Sequence, residues 1–556
     1  MKLAGWGIAI ALGAWLTLNT VWAAALPEPY ASFVQAKDSR DLATLQGLAQ
    51  DPGYVGVLAG FELISEKKVS AGLRANYAVR YANYTNSKYA WSRAGQALEE
   101  ASRTVEAAQA YGQAYPSPEA ASGLKRIAAS PAPEAREAAY RALDQAGAGA
   151  DLLGVLPASG YSEYRAKALY RLRRYGEALP HYQAWANADP QGAVGLGWTL
   201  IELGRLPEAL QAFQRYPSPE GYFGQGNALE KMGQLDLAVA AYGQSTPAGI
   251  WHATQILETT GRASQAAPYY LRLAQMDDRL ADDAAFRAWY LGQKYGDRAI
   301  STQAWELLSG GLAQIAGKAL PSAPALPRAP QVFPPALVRS EALRQAGQQD
   351  WAREELLYAL SLEPSLEEQI ALVKGLFNLG EFRKAIRIAE RWPLQYAEVI
   401  DLTYPRPYTD WIEAYAQANN LDPNLVYGII RVESRFDPAA VSPTGAKGLM
   451  QFVTLTWQDV ARMLGEAPGD PFDPKTNIRY GARYLRWLLD ACNQDIACAV
   501  TSYNGGIGYV TRGVKAAGNF QDFLRFQQRD EPREYVDLVL GDYAAYQVLP
   551  GALAHE

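Results

Sequence analysis

The stretch "LGRLPEALQAF" (Leu203 to Phe213) recurs along the chain with small changes, and this repetition decides the fold class. Close copies are "LRRYGEALPHY" (Leu172 to Tyr182), "MGQLDLAVAAY" (Met232 to Tyr242) and "TGRASQAAPYY" (Thr260 to Tyr270). The starts at 172, 203, 232 and 260 lie 31, 29 and 28 residues apart, close to the period of a helix-turn-helix repeat. Because one such pair of helices cannot bury its own apolar face, successive pairs stack. We therefore predict a mainly all-α chain whose N-terminal part is a superhelix of stacked helix pairs.

Two further copies, "AGQQDWAREEL" and "LGEFRKAIRIA", begin at Ala346 and Leu379, after a proline-rich stretch, "GKALPSAPALPRAPQVFPP" (Gly317 to Pro335). Proline blocks helices and favours an extended chain, so this stretch is predicted to connect two helical blocks. The repeat resembles a tetratricopeptide-like array, with copies shorter than the roughly 34-residue consensus. The predicted domains are a repeat domain over residues 26–316, a crossing with a second helical block over 317–400, and a C-terminal domain over 401–556.

Length, charge and the first residues narrow the class of protein. A chain of 556 residues exceeds one hydrophobic core, so several domains are expected. The formal net charge of −6 gives no reason to expect a nucleic acid partner. The N-terminus combines Lys2, an apolar run and small residues at Ala23 to Ala25, which predicts a signal peptide over residues 1–25, with an uncleaved membrane anchor as the alternative. We expect an exported, soluble protein outside the cytoplasm.

Cysteine and histidine usage limits the chemistry. The two cysteines, Cys492 and Cys498, lie far from the N-terminus, so we do not expect a lipid anchor on an N-terminal cysteine. They could form a local disulfide or pack as two small apolar residues, and both readings stay open. The chain has three histidines, and none lies between residues 421 and 549. A metal site or a histidine-dependent triad is therefore not expected in that region.

A carboxylate occupies an unusual position in the C-terminal part. "DPNLVYGIIRVESRFDP" (Asp422 to Pro438) has a helix start at Asp422-Pro423 and a predicted stop at Asp437-Pro438. Positions spaced i, i+3, i+4 and i+7 share one face of that helix, and they are Val426, Ile429, Ile430 and Glu433. Burial among apolar groups raises the pKa of a carboxyl, which can then act as a general acid. The alternative is an acid at the helix rim, exposed or paired with Arg431 or Arg435.

Five motifs follow one another around and after Glu433. They are "VESRFDP", "SPTGAKGLMQF", "NIRYGARYL", "SYNGG" and "EPREYV", in a region from Tyr404 to Gln547. In this order they resemble the soluble lytic transglycosylases, lysozyme-like enzymes that cleave peptidoglycan. The resemblance implies a lysozyme-like catalytic domain, and it fits the N-terminal repeats because the long soluble members carry an α-superhelical domain before that domain.

The resemblance assigns site residues by position. Glu433 matches the single catalytic acid of the family. Substrate-binding positions are Ser442, Met450, Gln451, Tyr503, Asn504, Glu531 and Tyr535. No metal and no organic cofactor is implied. The expected partner is the peptidoglycan glycan strand, and the superhelix could also bind protein partners of the cell envelope. The resemblance also implies a location in the periplasm.

Other residues in the motifs have structural explanations. We expect Gly445, Gly448 and Gly481 to serve turns and close helix contacts, and Arg533 to be either an ion-pair partner or a groove residue. Departures from the family pattern are Val453 and Thr454 (usually Met and Pro), Ser502 and Gly505 (usually alanines) and Pro532 (usually threonine). None removes a titrating group, so they are expected to change the shape of the groove more than its chemistry.

The implied reaction cleaves the β-1,4 bond between N-acetylmuramic acid (MurNAc) and N-acetylglucosamine (GlcNAc), leaving a 1,6-anhydro-MurNAc end. Glu433 would act first as acid and then as base. One alternative is a hydrolytic muramidase, in which Asp437, Glu466 or Asp473 lies across the groove. The other is a catalytically inert repeat scaffold of the cell envelope.

Overall fold

The computed structural model describes residues 26–319, 324–526 and 530–549, without the side chains of 525, 526, 530 and 531. The predicted signal peptide, residues 1–25, lies outside the described residues. Regular structure in these ranges is helical, and β-structure is limited there to two isolated bridges, Val441 with Lys447 and Lys447 with Phe452. The mainly all-α fold class is confirmed. Among the described helices, none combines the length and apolar character needed to cross a bilayer.

The helices of the first part of the chain are short and follow one another closely. They are α1 (Tyr30–Ser39), α2 (Leu42–Leu48), α3 (Tyr54–Leu63), α4 (Ala71–Thr85), α5 (Lys88–Glu100), α6 (Thr104–Ala114), α7 (Pro118–Ala128), α8 (Pro133–Gln145), α9 (Gly149–Val155), α10 (Ser162–Arg171), α11 (Tyr175–Ala188), α12 (Gly192–Glu202), α13 (Leu206–Gln214), α14 (Pro219–Lys231) and α15 (Leu235–Tyr242).

The remaining helices include the longest of the described chain. They are α16 (Pro247–Thr259), α17 (Ala263–Ala274), α18 (Ala281–Tyr295), α19 (Arg298–Leu307), α20 (Gly310–Ile315), α21 (Pro335–Gln345), α22 (Gln349–Ser361), α23 (Leu366–Asn378), α24 (Phe382–Ala389), α25 (Ala397–Thr403), α26 (Thr409–Ala418), α27 (Pro423–Ser434), α28 (Thr454–Leu464), α29 (Pro474–Ala491), α30 (Ile496–Gly505), α31 (Ile507–Ala517), α32 (Phe520–Phe526) and α33 (Asp530–Val548).

Two compact units share these helices. The first contains the residues up to Gly249 together with Phe333–Pro364, and the second contains Ile250–Val332 together with the residues from Ser365 onward. The last part of the repeat region, from α16 to α20, thus belongs to the same unit as the C-terminal motifs. The predicted boundary between residues 400 and 401 falls inside α25. The three-domain division made from the sequence stays a prediction.

The repeated phrase marks the tight join between two helices. Its glycine adopts a left-handed backbone with φ between 73° and 78° in five copies, at Gly204, Gly233, Gly261, Gly347 and Gly380. Glycine carries no Cβ, so it follows a helix end in this conformation without steric cost. In the copy between α10 and α11 the same position is Arg173, at φ 57°.

In the first unit, helices distant in sequence meet at a buried acid. Glu355 of α22 is fully buried, and its carboxylate accepts hydrogen bonds from the Tyr30 hydroxyl (2.5 Å) and from the backbone N–H of Tyr54 (3.1 Å). Arg339 of α21 forms an ion pair with the same carboxylate at 2.5 Å. The first two helices after the proline-rich stretch, α21 and α22, therefore pack on the first helices of the chain, a contact that the repeat pattern does not predict.

The proline-rich connection agrees with its prediction where it is described. Residues 324–334 contain neither helix nor strand. They run along the start of α25: Ala397 N–H donates to Pro327 O (2.9 Å), and Ala329 N–H donates to Glu398 (2.9 Å). Arg328 adds an ion pair with Asp401 at 2.6 Å.

Replacing Arg173 with glycine should stabilise the first unit. The left-handed conformation costs a residue with a side chain about 1–2 kcal/mol, and glycine avoids this cost. Glycine also makes the unfolded chain more flexible, which offsets part of the benefit, so we expect the free energy of unfolding to rise by about 0.5–1 kcal/mol. The matched control is Gly204→Ala, where an added Cβ would meet no atom within 4 Å, so that φ alone opposes it. Thermal melting should give a higher Tm for Arg173→Gly and a lower Tm for Gly204→Ala. A lower Tm for Arg173→Gly would contradict this explanation.

Asp537 of α33 should make stability depend on pH. Burial raises the pKa of Asp537 from 3.8 to about 6, with the nearby Asp282 and Asp283 adding to the rise and backbone N–H groups opposing it. At a pH between these two pKa values, the folded protein keeps a proton on Asp537 that the unfolded chain releases. The contribution of Asp537 to the free energy of unfolding therefore falls by about 3 kcal/mol as the pH rises from about 4 to about 6.

This dependence can be isolated with Asp537→Asn, which does not titrate. Urea unfolding of both proteins across this pH range should show the wild type losing stability relative to the variant as the pH rises. A difference between the two proteins that stays constant with pH would show that Asp537 keeps an ordinary pKa.

Candidate active site

The helix that carries Glu433 begins as predicted and ends early. The side chain of Asp422 accepts a hydrogen bond from the backbone N–H of Asn424 (2.9 Å) and caps α27. The helix ends at Ser434, because Arg435 and Phe436 adopt left-handed conformations at φ 50° and 62°. The end lies before the predicted stop at Asp437-Pro438. The predicted apolar face is confirmed: its three aliphatic residues have no exposed surface, and they are Val426, Ile429 and Ile430.

Glu433 is half-buried at the end of this face, beside two tyrosines. Its Oε1 accepts a hydrogen bond from the Tyr535 hydroxyl at 2.7 Å. The ring of Tyr535 is stacked with that of Tyr503, with centroids 6.4 Å apart and planes at 5°. The Tyr503 hydroxyl in turn donates to the backbone carbonyl of Met450 (2.9 Å). The acid is therefore held by polar contacts as well as by its apolar face.

Both tyrosines keep their protons at neutral pH. Burial raises the pKa of Tyr535 and of Tyr503 well above 10, and the negative charge of Glu433 raises them further. A phenol in this state is a hydrogen-bond donor. Tyr535 can therefore stabilise Glu433 when that carboxyl is ionised.

The two arginines near Glu433 on the chain bind other acids. Arg431 is buried and binds Asp542 of α33 (2.7 Å) and Glu390 (2.8 Å). Arg435 also binds Glu390, at 3.2 Å. These contacts hold the helix in place. They engage Arg431 and Arg435, the two arginines that the sequence offered as ion-pair partners for Glu433.

A cavity of 320 Å³ opens beside Glu433. Five of the predicted site residues line it, and they are Glu433, Ser442, Gln451, Tyr503 and Asn504. Three further polar residues line it that sequence reasoning missed, namely Thr444, Thr456 and Tyr484. Thr444 lies inside a motif that was singled out, so its position in the "SPTG" turn was a usable signal. Tyr484 lies in the motif "NIRYGARYL" (Asn477 to Leu485), which gave the same kind of signal. For Thr456 the sequence offers no such signal, because it reaches the cavity through the packing of its helix.

The loop between α27 and α28 fixes the polar side chains on one wall. Ser442 Oγ accepts from the backbone N–H of Ala446 (3.0 Å). The Gln451 side-chain amide donates to Gly448 O (2.8 Å) and to Ala440 O (3.1 Å), and Gln451 itself adopts φ 50°. Side chains held by their own loop are presented to a ligand without first having to be ordered.

Two of the predicted substrate-binding residues with described side chains, Met450 and Tyr535, are not among the residues that line the cavity. The side chain of Met450 is fully buried and lies against Gly481, where an added Cβ would overlap its sulfur, and its carbonyl accepts the Tyr503 hydroxyl. Its role in substrate binding stays a prediction. Tyr535 meets Glu433 from α33. The side chain of Glu531 lies outside the described residues. The glycines have the expected roles, with Gly445 and Gly448 at φ 85° and 76°.

The acids proposed for a two-carboxylate site are engaged elsewhere. Asp437 lies 3.4 Å from Arg383. Glu466 binds Arg479, and Asp473 caps the start of α29. Among the cavity residues that the structure describes, Glu433 is the single carboxylate.

The two cysteines form a disulfide, which settles the alternative left open by the sequence. The bridge joins the end of α29 to the first turn of α30, the helix that carries Tyr503 and Asn504.

Closing a loop of this size stabilises a fold by about 2 kcal/mol. Replacing Cys492 and Cys498 with alanine should therefore lower the free energy of unfolding by about that amount.

Denaturant unfolding with and without a reducing agent checks this prediction. The reducing agent should destabilise the wild type and leave the double alanine variant unchanged. Equal stability of the oxidised wild type and the double variant would show that the bridge adds nothing to the fold.

Known proteins match the C-terminal part of this chain in sequence. Residues 410–526 match the family described as the Transglycosylase SLT domain. The soluble lytic murein transglycosylase of Escherichia coli K12 is 29% identical over 155 residues, 27% of this chain and 24% of that protein. The membrane-bound lytic murein transglycosylase C of Photorhabdus laumondii is 41% identical over 105 residues, 16% of this chain and 29% of that protein. The matched segments thus span about a quarter of these relatives.

The likeness of the fold extends over almost the whole chain. The crystal structure of the 70-kDa soluble lytic transglycosylase of Escherichia coli superimposes with a TM-score of 0.53 at 19% identity, covering 95% of this chain and 96% of that one. This confirms the predicted architecture of an α-superhelical part followed by a lysozyme-like part. Residues 410–526 therefore match the Transglycosylase SLT domain, and the chain has the fold of a soluble lytic transglycosylase of known structure.

Proposed function

We propose that the protein is a peptidoglycan lytic transglycosylase that cleaves the MurNAc–GlcNAc β-1,4 bond and leaves a 1,6-anhydro-MurNAc end. The observation that carries this proposal is the pairing of one carboxylate, Glu433, with the Tyr535 hydroxyl beside a polar cavity. The SLT domain and the lytic transglycosylases that match it support the same reaction.

In the first step Glu433 acts as the general acid. Its carboxyl donates a proton to the bridging oxygen, and the C1–O bond of MurNAc breaks with its electron pair staying on the GlcNAc oxygen. The 2-acetamido oxygen of MurNAc attacks C1 in place of an enzyme nucleophile. Gln451, Tyr503 and Asn504, which line the cavity, would orient this acetamide and stabilise the charge that develops on it.

In the second step the ionised Glu433 acts as the base. It takes the proton of the MurNAc 6-hydroxyl, and the 6-oxygen attacks C1 and displaces the acetamide oxygen. This closes the anhydro ring and returns Glu433 to its protonated state. Between the two steps the Tyr535 hydroxyl, 2.7 Å from Oε1, stabilises the carboxylate.

A hydrolytic muramidase is the alternative on the same scaffold. Hydrolases of this kind use two carboxylates, whereas Glu433 is the single carboxylate among the described cavity residues. Product mass decides between the two reactions, because an anhydro end lacks one water. Mass spectrometry of digested sacculi should show anhydro-MurNAc products. Reducing-end products alone would identify a hydrolase, and intact sacculi would identify an inert scaffold.

The proposed substrate is the glycan strand of peptidoglycan, outside the cytoplasm, with no nucleic acid and no cofactor involved. A structure of a 70-kDa soluble lytic transglycosylase in complex with bulgecin A has the same fold, with a TM-score of 0.52. We propose bulgecin A as a probe of the cavity beside Glu433. The superhelix, proposed to span residues 26–316, offers surface for protein partners of the envelope.

Glu433→Gln should abolish turnover and leave the fold intact. The amide has the same shape but has no proton to donate and cannot take one up, so we expect a loss of about 10³-fold or more on purified peptidoglycan. The matched control is Glu413→Gln, at an exposed position of the same domain, which should keep full activity. Circular dichroism confirms that both variants fold. Turnover by folded Glu433→Gln close to that of the wild type would place the catalytic acid elsewhere.

A further inference from the structure

Helix α33 carries Tyr535 on one face and meets the repeat region with another. Positions 535, 539 and 542 are spaced i, i+4 and i+7 and face α27: Tyr535 binds Glu433, and Asp542 binds Arg431. At Gly428 of α27, an added Cβ would lie 3.1 Å from Val539 O. Positions 533, 537 and 540 have the same spacing on a different face, which is turned toward α18 and α20.

The contact between α20 and α33 is close. A Cβ added at Gly311 would overlap the carbonyl oxygen of Asp537 and come within 2.7 Å of Leu540 Cβ. The Leu312 N–H donates to Asp537 Oδ1 (2.9 Å), and the Gln314 amide donates to Leu540 O (2.5 Å). Glycine at position 311 therefore sets the distance between the two helices.

A second contact lies one turn nearer the start of α33. Arg533 is 7% exposed, with its Nε 3.2 Å from Asp283 of α18 and its guanidinium 5.7 Å from the ring centre of Trp251. Of the two explanations offered by the sequence, the contacts favour an ion-pair partner. The contacts at 533, 537 and 540 lie on both sides of Tyr535 along the helix, so a displacement of α33 displaces the Tyr535 hydroxyl.

The hydroxyl of Tyr535 bears on how Glu433 holds its proton. A hydrogen bond donated to a carboxylate favours the ionised form. The other titratable groups at the cavity are Tyr503 of α30 and Tyr484 of α29. The helix of Glu433, α27, carries one cation, Arg431, which is bound to Asp542. Arg435 follows the end of this helix and is bound to Glu390. Glu531 of α33 has a side chain outside the described residues.

We propose that Gly311 and Gln314, in the part of the chain assigned to the repeats, are positioning residues for the reaction. They hold α33 where the Tyr535 hydroxyl reaches Glu433, and so they set the pH at which the acid loses its proton. The proposal rests on the proposed function of Glu433. It makes the end of the repeat region part of the support of the active site.

The test is the pH dependence of kcat on peptidoglycan, measured with the full chain. Tyr535→Phe removes the hydrogen-bond donor to Glu433. The alkaline limb of the kcat–pH profile, where kcat falls as the pH rises, should then move to higher pH by about one unit. Gly311→Ala should displace α33 and move the limb in the same direction. The double variant Gly311→Ala with Tyr535→Phe should show no further shift than Tyr535→Phe alone.

The matched control is Gly292→Ala in α18. A Cβ there would lie 2.8 Å from the backbone nitrogen of Ser301, so it crowds two repeat helices without touching α33. It should lower Tm and leave the alkaline limb in place. If Gly311→Ala does not fold, Gln314→Met, which removes the bond to Leu540 at similar volume, should give a smaller upward shift.

Each failure has its own signature. A limb that stays in place in folded Gly311→Ala or Gln314→Met, but moves in Tyr535→Phe, would overturn the positioning role and leave the proposed function standing. A limb unmoved by Tyr535→Phe would also overturn it. An equal shift in Gly292→Ala would show that general loosening of the unit is the cause. Turnover by Glu433→Gln would instead overturn the proposed function.

Discussion

A buried guanidinium joins the two helices on which the site depends. Arg431 of α27 binds Asp542 of α33 and Glu390, donates to the backbone carbonyl of Thr403 (2.8 Å) and covers the ring of Tyr404. Removing one partner of such a buried pair costs about 3–5 kcal/mol, since the remaining charge is left without compensation. The interaction is directional, so it fixes the register of α27 against α33 and thereby the distance between Glu433 and Tyr535.

The chemistry at Glu433 combines two opposing influences. Its helix presents three fully buried aliphatic side chains, which favour the protonated acid. The Tyr535 hydroxyl favours the carboxylate. A group that must give up a proton in one step and take up another in the next needs both states within reach. The proposed two-step reaction therefore suits an acid that is half-buried and hydrogen-bonded better than one that is fully enclosed in apolar surroundings.

Three of the departures from the family pattern are explained by contacts between neighbouring helices. Gly505 and Pro532, which stand where alanine and threonine are usual, touch each other: a Cβ on Gly505 would lie 3.2 Å from the proline ring. Ser502 lies 3.8 Å from the sulfur of Cys492 and is buried beneath the disulfide. These contacts join α30 to α33 and to the end of α29, and they leave Tyr503 and Asn504 at or near the cavity.

The sequence by itself determined the helical class, the repeated joins, the start of α27 and five of the residues around the cavity, because these follow from local periodicity, turn chemistry and motif order. The tertiary structure decided the rest. It buried Met450 behind Gly481, bound Arg431 to Asp542 and brought Tyr484 and Thr456 to the cavity. It also placed α20 on the helix of Tyr535, although all the site motifs lie after Tyr404. Contacts between residues on different helices depend on how the helices pack, and helical periodicity names the buried face without naming its partner.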